Sequence, residues 1–141
     1  MRRNRRNEVR LKKIKVLIVE EYEGIIQVFR RLLRTAPEIE IVWEARSEVE
    51  AITALEMFKP DIILINASSS SRQATKKWKE FKTQAPESRL VVLTIPENSN
   101  QVRQAKALGV TFLAKEETVR ALVPTIRHLV ETSSMEKCTP R

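Results

Sequence analysis

Pro60-Asp61-Ile62-Ile63-Leu64-Ile65-Asn66 is a continuous apolar run that ends on a lone amide side chain. Four consecutive Ile and Leu residues after a Pro-Asp turn are typical of a strand buried on both faces, as the central strand of a parallel sheet is. In a doubly wound sheet, binding and catalytic sites form at the carboxyl ends of such strands. Asn66 therefore stands at the first candidate functional position.

The rest of the chain alternates strand patterns with helix patterns. Short apolar runs rich in β-branched residues predict strands, and apolar residues at helical spacing between them predict helices. The result is a single α/β domain built on a doubly wound, five-stranded parallel sheet with five helices. The predicted strands cover residues 14–19, 39–44, 61–66, 89–94 and 110–114, and a helix follows each of them.

Local signals fix several details of these helices. Ser47 and Glu50 form a capping-box pattern that predicts the start of the second helix. Trp78 lies on the apolar face of the third helix and is predicted to anchor that helix to the sheet. Gly109 follows the fourth helix at the position where a left-handed residue commonly ends a helix. Pro124 is predicted to kink the last helix. The polar face of the third helix carries Lys76, Lys77, Lys79 and Lys82, most simply a solvated surface.

The positive charge of the chain is unevenly distributed. The 141 residues carry a net charge of +8, and residues 1–13 account for +6 of it. Residues 14–131 hold 17 basic and 16 acidic side chains, so this part is nearly neutral. We therefore expect a basic, disordered arm over residues 1–13, a folded domain over 14–131 and a flexible tail over 132–141.

Composition argues against several protein classes. The single cysteine, Cys138, cannot form an internal disulfide, and no apolar run approaches the ~20 residues that span a bilayer. The basic arm lacks the apolar stretch of a secretory signal. No nucleophile–base pair, metal-ligand cluster or glycine-rich phosphate loop is visible. We expect a soluble, cytoplasmic protein that is not an enzyme.

Polar residues gather where four predicted strands end. They are Glu20 and Glu21 after the first strand, Asn66 after the third, Thr94 after the fourth and Lys115 after the fifth. Parallel strands bring these positions to one edge of the sheet, at its switch point. Whatever the function, an ion pair between the two acids and Lys115 is the favoured arrangement. The alternatives are that Thr94 satisfies local backbone groups and that Lys115 is a surface lysine.

Four segments carry a resemblance to the receiver domain of two-component response regulators. They are VLIVEE at 16–21, PDIILIN at 60–66, VVLT at 91–94 and TFLAK at 111–115, and residues 39–52 are similar to receivers of the nitrate-regulator type. The resemblance covers about residues 14–131, with one apparent deletion near Val110. It implies a flavodoxin-like sheet with the strand order 2-1-3-4-5.

The resemblance also assigns roles to the residues at the strand ends. In that family an acidic pair holds Mg²⁺, an aspartate accepts a phosphoryl group, a hydroxyl residue and a lysine contact the phosphate, and an aromatic residue reports the switch. In this sequence those positions hold, respectively, Glu20 and Glu21, Asn66, Thr94, Lys115 and Phe112.

The sequence departs from the family pattern around this pocket. The amide of Asn66 is not the carboxylate nucleophile that an acyl phosphate requires. Glutamates replace the shorter aspartates of the acidic pair and push their oxygens into the volume of a hydrated Mg²⁺ ion. Ser70 and Ala74 replace the usual Pro and Gly of the following loop, and Ile95 replaces a small residue. We expect no cofactor, with Mg²⁺ binding weak or absent at the vestigial positions Glu21 and Asn66.

These departures predict a degenerate pocket in a stand-alone pseudo-receiver. It would act in signalling as a protein-interaction module that aspartyl phosphorylation does not switch. In the family, the face built by the fourth helix, fifth strand and fifth helix dimerises or docks partners. The corresponding interface candidates, for a homodimer or a protein partner, are Val102, Ala105, Leu108, Val119 and Leu122.

Two alternatives remain open at the level of sequence. The basic arm, through Arg2, Arg3, Arg5 and Arg6, is suited to weak, salt-sensitive contact with nucleic acid. Too few residues follow the last predicted helix for the helix-turn-helix domain that usually accompanies receivers of this type. The other alternative is control by phosphorylation at another residue, for which Ser68 to Ser71 are candidates.

Overall fold

The computed structural model describes residues 13–66, 72–93, 103 and 106–138, without the side chains of 72–75 and 133–138. Strands and helices alternate along this part of the chain, as the hydrophobic pattern predicts. The elements are β1 (Ile14–Val19), α1 (Glu23–Arg34), β2 (Ile39–Ala45), α2 (Glu48–Phe58), β3 (Ile62–Asn66), α3 (Arg72–Gln84), β4 (Arg89–Leu93), β5 (Val110–Leu113) and α4 (Thr118–Cys138).

The five strands form one parallel sheet in the order β2-β1-β3-β4-β5. This order confirms the predicted fold. The chain first runs from β1 outward to β2 and then returns to place β3 on the other side of β1, which creates the switch point. The register pairs Val19 with Ile65 and Asn66 with Leu93. The carboxyl ends of β1, β3 and β4 therefore lie side by side.

Strand β3 is the buried centre of the sheet. The side chains of Ile62, Ile63 and Leu64 are completely inaccessible, and Ile65 is 9% exposed. Alternate residues of β3 point into different cores, because Ile62 and Leu64 pack on the α1 and α4 side and Ile63 and Ile65 on the α2 and α3 side. Each such side chain contributes about 1.5–3 kcal/mol relative to an exposed one.

The start of α2 shows how the chain enters a helix beside an edge strand. The Ser47 hydroxyl accepts a hydrogen bond from the Glu50 amide at 3.1 Å, which confirms the predicted cap. The Glu50 carboxylate accepts from the Arg46 amide at 3.0 Å and from the Trp43 indole at 2.9 Å. These bonds lower the pKa of Glu50, the Arg46 amide having the larger effect. The helix is thereby tied to β2.

Gly109 adopts the left-handed conformation that its position predicts. Its φ is +79°, and its amide donates to the Lys106 carbonyl at 3.0 Å. Arg103, Lys106 and Ala107 are helical, whereas the other residues of the predicted fourth helix lie outside the described ranges. The structure thus bounds four of the five helices that the sequence predicts.

Helix α4 starts at Thr118 as expected, after a 3-10 turn at Lys115–Glu117. It contains Pro124 and continues to Cys138, past the boundary at residue 131 that the sequence suggested. A helical segment thus replaces most of the expected tail, because no Gly or Pro interrupts the chain between Pro124 and Pro140. Among the described residues, no helix combines the length and apolar character needed to cross a membrane.

Candidate functional site

The candidate site lies at the carboxyl edge of the sheet, where β1 and β3 end together. Glu20 directly follows β1, and Asn66 is the last residue of β3. Because Val19 pairs with Ile65, these two polar residues leave adjacent strands at the same level. Thr94 is the first residue after β4 but lies outside the described residues. The sheet thus brings together the positions that the sequence predicts at β1 and β3.

The two acids after β1 differ in their surroundings. Glu20 is only 6% exposed, and its Oε2 accepts a hydrogen bond from the Tyr22 amide at 2.8 Å. Its own amide donates to the Ala45 carbonyl of β2 at 2.9 Å. Glu21 is exposed. The buried carboxylate therefore holds the turn that leads into α1, and only its neighbour faces solvent.

Lys115 is separate from the acidic pair. It is exposed and begins the 3-10 turn after β5. Within the described part of the chain, it forms no ion pair with Glu20 or Glu21, so the expected pairing is wrong for this structure. The sheet order explains the result, since β3 and β4 separate β1 from β5 and three strand spacings amount to roughly 14 Å.

Phe112 on β5 packs against the indole of Trp78 on α3. The ring centroids are 5.6 Å apart, and the rings meet edge to face at 73°. Trp78 is 2% exposed, which confirms its predicted role as the anchor of α3, and Phe112 is half-buried. Such pairs add about 0.5–1.5 kcal/mol beyond the area they bury. Strand β5 and helix α3 are therefore held together by an aromatic contact.

The donor groups at this edge do not match a Mg²⁺ site. Mg²⁺ requires oxygen ligands in near-octahedral geometry and retains several waters. The carboxylate of Glu20 is engaged by a backbone amide, Glu21 is exposed, and Asn66 supplies a neutral amide. The residues that the structure describes contain no group of three or more His, Cys, Asp or Glu side chains arranged to hold a metal ion.

Comparison with known proteins identifies the family and the fold of the chain. Residues 16–127 match the family model of the response regulator receiver domain. The chain belongs to this family. Among curated relatives, this receiver is 28% identical over 123 residues to the response regulator protein VraR of Staphylococcus epidermidis, with 86% of this chain and 59% of the relative covered. It is 22% identical over 121 residues to the transcriptional regulatory protein DegU of Brevibacillus brevis, with 85% and 51% covered.

The receiver therefore spans between half and three-fifths of the length of these relatives. Solved structures agree on the fold. The response regulator domain of Thermotoga maritima CheB superposes with a TM-score of 0.72 at 18% identity, covering 85% of this chain and 98% of that one. The signal receiver domain of NarL from Mycobacterium tuberculosis gives 0.66 at 18% identity, covering 82% and 98%.

The predicted interface residues of the receiver fall into different environments. Val119, at the start of α4, is 77% exposed. Leu122 is completely buried and packs in the core with α1, so its assignment to an interface is wrong. It lies one helical turn before Ile126 and shares the face that covers the sheet. Leu108 is half-buried against the α2 and α3 core. The predicted residues outside the described ranges are Val102, Ala105 and, in the arm, Arg2, Arg3, Arg5 and Arg6.

One charged cluster beside the site was not predicted from the sequence. Arg30 on α1 binds the Glu44 carboxylate on β2 through two nitrogens, Nε at 2.6 Å and Nη2 at 2.7 Å. Its Nη1 also donates to Glu23 at 3.2 Å, and Arg46 pairs with the same carboxylate. The Arg30 guanidinium lowers the pKa of Glu44 mainly through these hydrogen bonds. The cluster fixes the start of α1 against the edge strand.

Proposed function

We propose that this receiver is a signalling module whose partner binding does not depend on aspartyl phosphorylation. The observation that carries the proposal is the amide of Asn66 at the end of β3, the position that accepts the phosphoryl group in receivers. An amide nitrogen and oxygen share one delocalised electron system, and neither atom forms a stable acyl phosphate under the conditions in which a carboxylate does.

The surroundings of Asn66 support the same conclusion. Glu20 is buried, and its Oε2 accepts a hydrogen bond from the Tyr22 amide, so this carboxylate already has a structural role at the start of α1. Lys115 is exposed and follows β5, which β3 and β4 separate from β1 and its acidic pair. With one negative charge replaced by an amide, Mg²⁺ affinity is expected to be weak or absent.

Measurement of the intact mass tests whether the chain accepts a phosphoryl group. The full chain is incubated with a small phosphodonor and Mg²⁺, and its intact mass is measured. We expect no phosphoryl adduct on the wild-type chain. Asn66→Asp is the matched variant, because it replaces only the side-chain NH₂ group by oxygen and so restores the carboxylate nucleophile. An acyl-phosphate adduct on the wild-type protein would contradict the proposal, and an adduct at Ser68 to Ser71 would favour control by phosphorylation at another residue.

The binding half is tested with two equally exposed valines. Val119 on α4 and Val49 on α2 are both 77% exposed, but only Val119 belongs to the proposed interface. We expect Val119→Asp to weaken self-association in sedimentation, or capture of a protein partner, by at least about tenfold. Val49→Asp should leave both self-association and partner capture unchanged. Adding the phosphodonor should not alter either measurement. Equal effects of the two variants would reject the interface.

A further inference from the structure

The cations at the surface of the receiver differ in whether a carboxylate binds them. On the α1 and α4 side, Arg30, Arg46 and Arg127 each bind a carboxylate. Helix α3 presents Lys76, Lys77 and Lys79 to solvent, and we call these three residues the α3 lysine patch. Among the described residues, none of the three forms an ion pair or hydrogen bond through its side chain.

The three patch lysines are exposed, so they are not the residues that pack α3 against the sheet. Trp78 and Phe81 anchor the helix, each 2% exposed. A fourth lysine, Lys82, has a different role, since its Nζ donates to the carbonyls of Pro86 at 3.2 Å and Ser88 at 2.9 Å. Partial burial, with a smaller effect of Arg89, lowers the pKa of Lys82. The patch lysines are therefore available to a partner, whereas Lys82 supports the following loop.

Further cations extend the patch on the same side of the sheet. Arg103 and Lys106 are helical and exposed. Leu108 and Gly109, which follow them, lie close to α3, because a Cβ at Gly109 would lie 4.0 Å from the Lys82 Nζ and Leu108 packs in the same core as Trp78. Exposed cations thus also occur just before the residues that contact this side of α3.

The composition of this surface indicates the chemistry of its partner. The large apolar side chains exposed in the described ranges lie on other elements, so α3 offers no apolar face to a bilayer. Lysine is depleted at protein interfaces, and the aromatic anchors typical of them are absent from the described surface of α3. Lysines spaced along a convex helix suit phosphate groups, which they bind as point charges. The surface also lacks an exposed aromatic ring on which unpaired bases stack.

We propose that the α3 lysine patch binds the phosphodiester backbone of duplex nucleic acid without sequence preference. The binding energy would come from counterion release when the lysines replace condensed cations along the duplex. No ion pair has to break first, since the patch has no acidic partner among the described residues. The proposal is independent of Asn66, because the patch lies on a solvent face of α3 rather than at the strand ends.

The test measures fluorescence anisotropy of a short labelled DNA duplex titrated with the full chain at several salt concentrations. Lys76→Gln/Lys79→Gln removes two charges from the patch. Arg31→Gln/Arg34→Gln removes two charges from exposed positions on α1 that form no ion pair within the described ranges. We expect the α3 variant to lose at least about tenfold in affinity at low salt and its salt slope to fall by about 1.8.

The α1 variant should change the affinity less than about twofold, since its charges lie on the other side of the sheet. The same difference should persist when Arg2, Arg3, Arg5 and Arg6 are replaced by Gln, which removes four of the seven basic side chains of the arm. Equal losses in the two variants would overturn the proposal. So would the absence of wild-type binding, tighter binding to a single strand, or binding to anionic vesicles in preference to the duplex.

Discussion

The two sides of the sheet use positive charge in different ways. On the α1 and α4 side, Arg30 joins α1 to Glu44 on β2, and Arg127 joins α4 to Glu38 before β2. On the α2 and α3 side, the lysines of α3 lie over a core that contains Trp78 and have no acidic partner among the described residues. Ion pairs thus connect α1 and α4 to β2 and the turn before it, whereas packing holds α3 and its three patch lysines form no ion pair among the described residues.

This difference separates stability from binding. Removing a paired cation is expected to alter the stability of the fold, because it leaves a carboxylate without its partner. Removing a lysine of the patch should alter only contacts with a partner. If the separation holds, variants of the packed anchor and of the paired carboxylates change stability, whereas variants of the patch change binding.

The largest effect is expected when the aromatic anchor of α3 is removed. Trp78→Ala deletes a side chain that is 2% exposed and packs edge to face on Phe112, and should cost about 3–5 kcal/mol of unfolding free energy. Urea unfolding followed by circular dichroism measures it. Lys77→Ala, at the adjacent exposed position, is the control. A loss below about 1 kcal/mol would show that packing does not hold α3.

An intermediate effect on stability is expected at low pH on the α1 and α4 side, which we call the paired side because Arg30 and Arg127 bind carboxylates there. Hydrogen bonds from Arg30 and Arg127 lower the pKa values of Glu44 and Glu38 below the ordinary 4.5. Because the folded pKa is depressed, each carboxylate stabilises the fold above the ordinary value, and this stabilisation is lost as the pH falls through the lowered pKa. Stability should therefore decline progressively below a pH of about 4.5.

The matched variants for this prediction lie on the same strand. Glu44→Gln should reduce the midpoint of urea unfolding at neutral pH and make its decline with acid shallower. Glu40→Gln, at an exposed position on β2 with no ion pair in the described structure, should change neither. If both variants retain the acid response of the wild-type chain, the Arg30–Glu44 pair does not contribute to acid stability.

The smallest effect on stability is expected at the α3 lysine patch. Lys76→Gln/Lys79→Gln should change the unfolding free energy by no more than about 0.5 kcal/mol, because exposed side chains without partners contribute little. The same variant is expected to show the large loss in duplex binding. A substantial change in the urea midpoint would mean that these lysines have structural contacts and would weaken the contrast between the two sides.

Features set by nearby residues were predicted well from the sequence. The buried strand β3, the Ser47 cap, the left-handed Gly109 and the anchor Trp78 are all confirmed. Each depends on burial or on backbone conformation over a few residues, which composition and spacing report directly. The placement of Asn66 at the end of β3 follows from the same signals.

Features that depend on distant residues were predicted less well. The expected pairing of Lys115 with the acids fails because two strands intervene, and Leu122 turned out to be in the core. The Arg30–Glu44 pair was missed altogether, since 14 residues separate the partners and many other pairings share the same charges.

The sequence by itself determined which segments form strands and helices and that an amide side chain, Asn66, ends the third strand. The tertiary structure alone decided which charges meet. The register of β1 and β2 shifts between Val16 and Leu17, so that Val16 pairs with Ile41 and Ile18 pairs with Glu44. A one-residue shift moves a side chain to the opposite face of a sheet. This irregularity places Glu44 on the α1 side, where Arg30 binds it. The shift exists only in the pairing of the two strands, so neither strand's sequence reveals it.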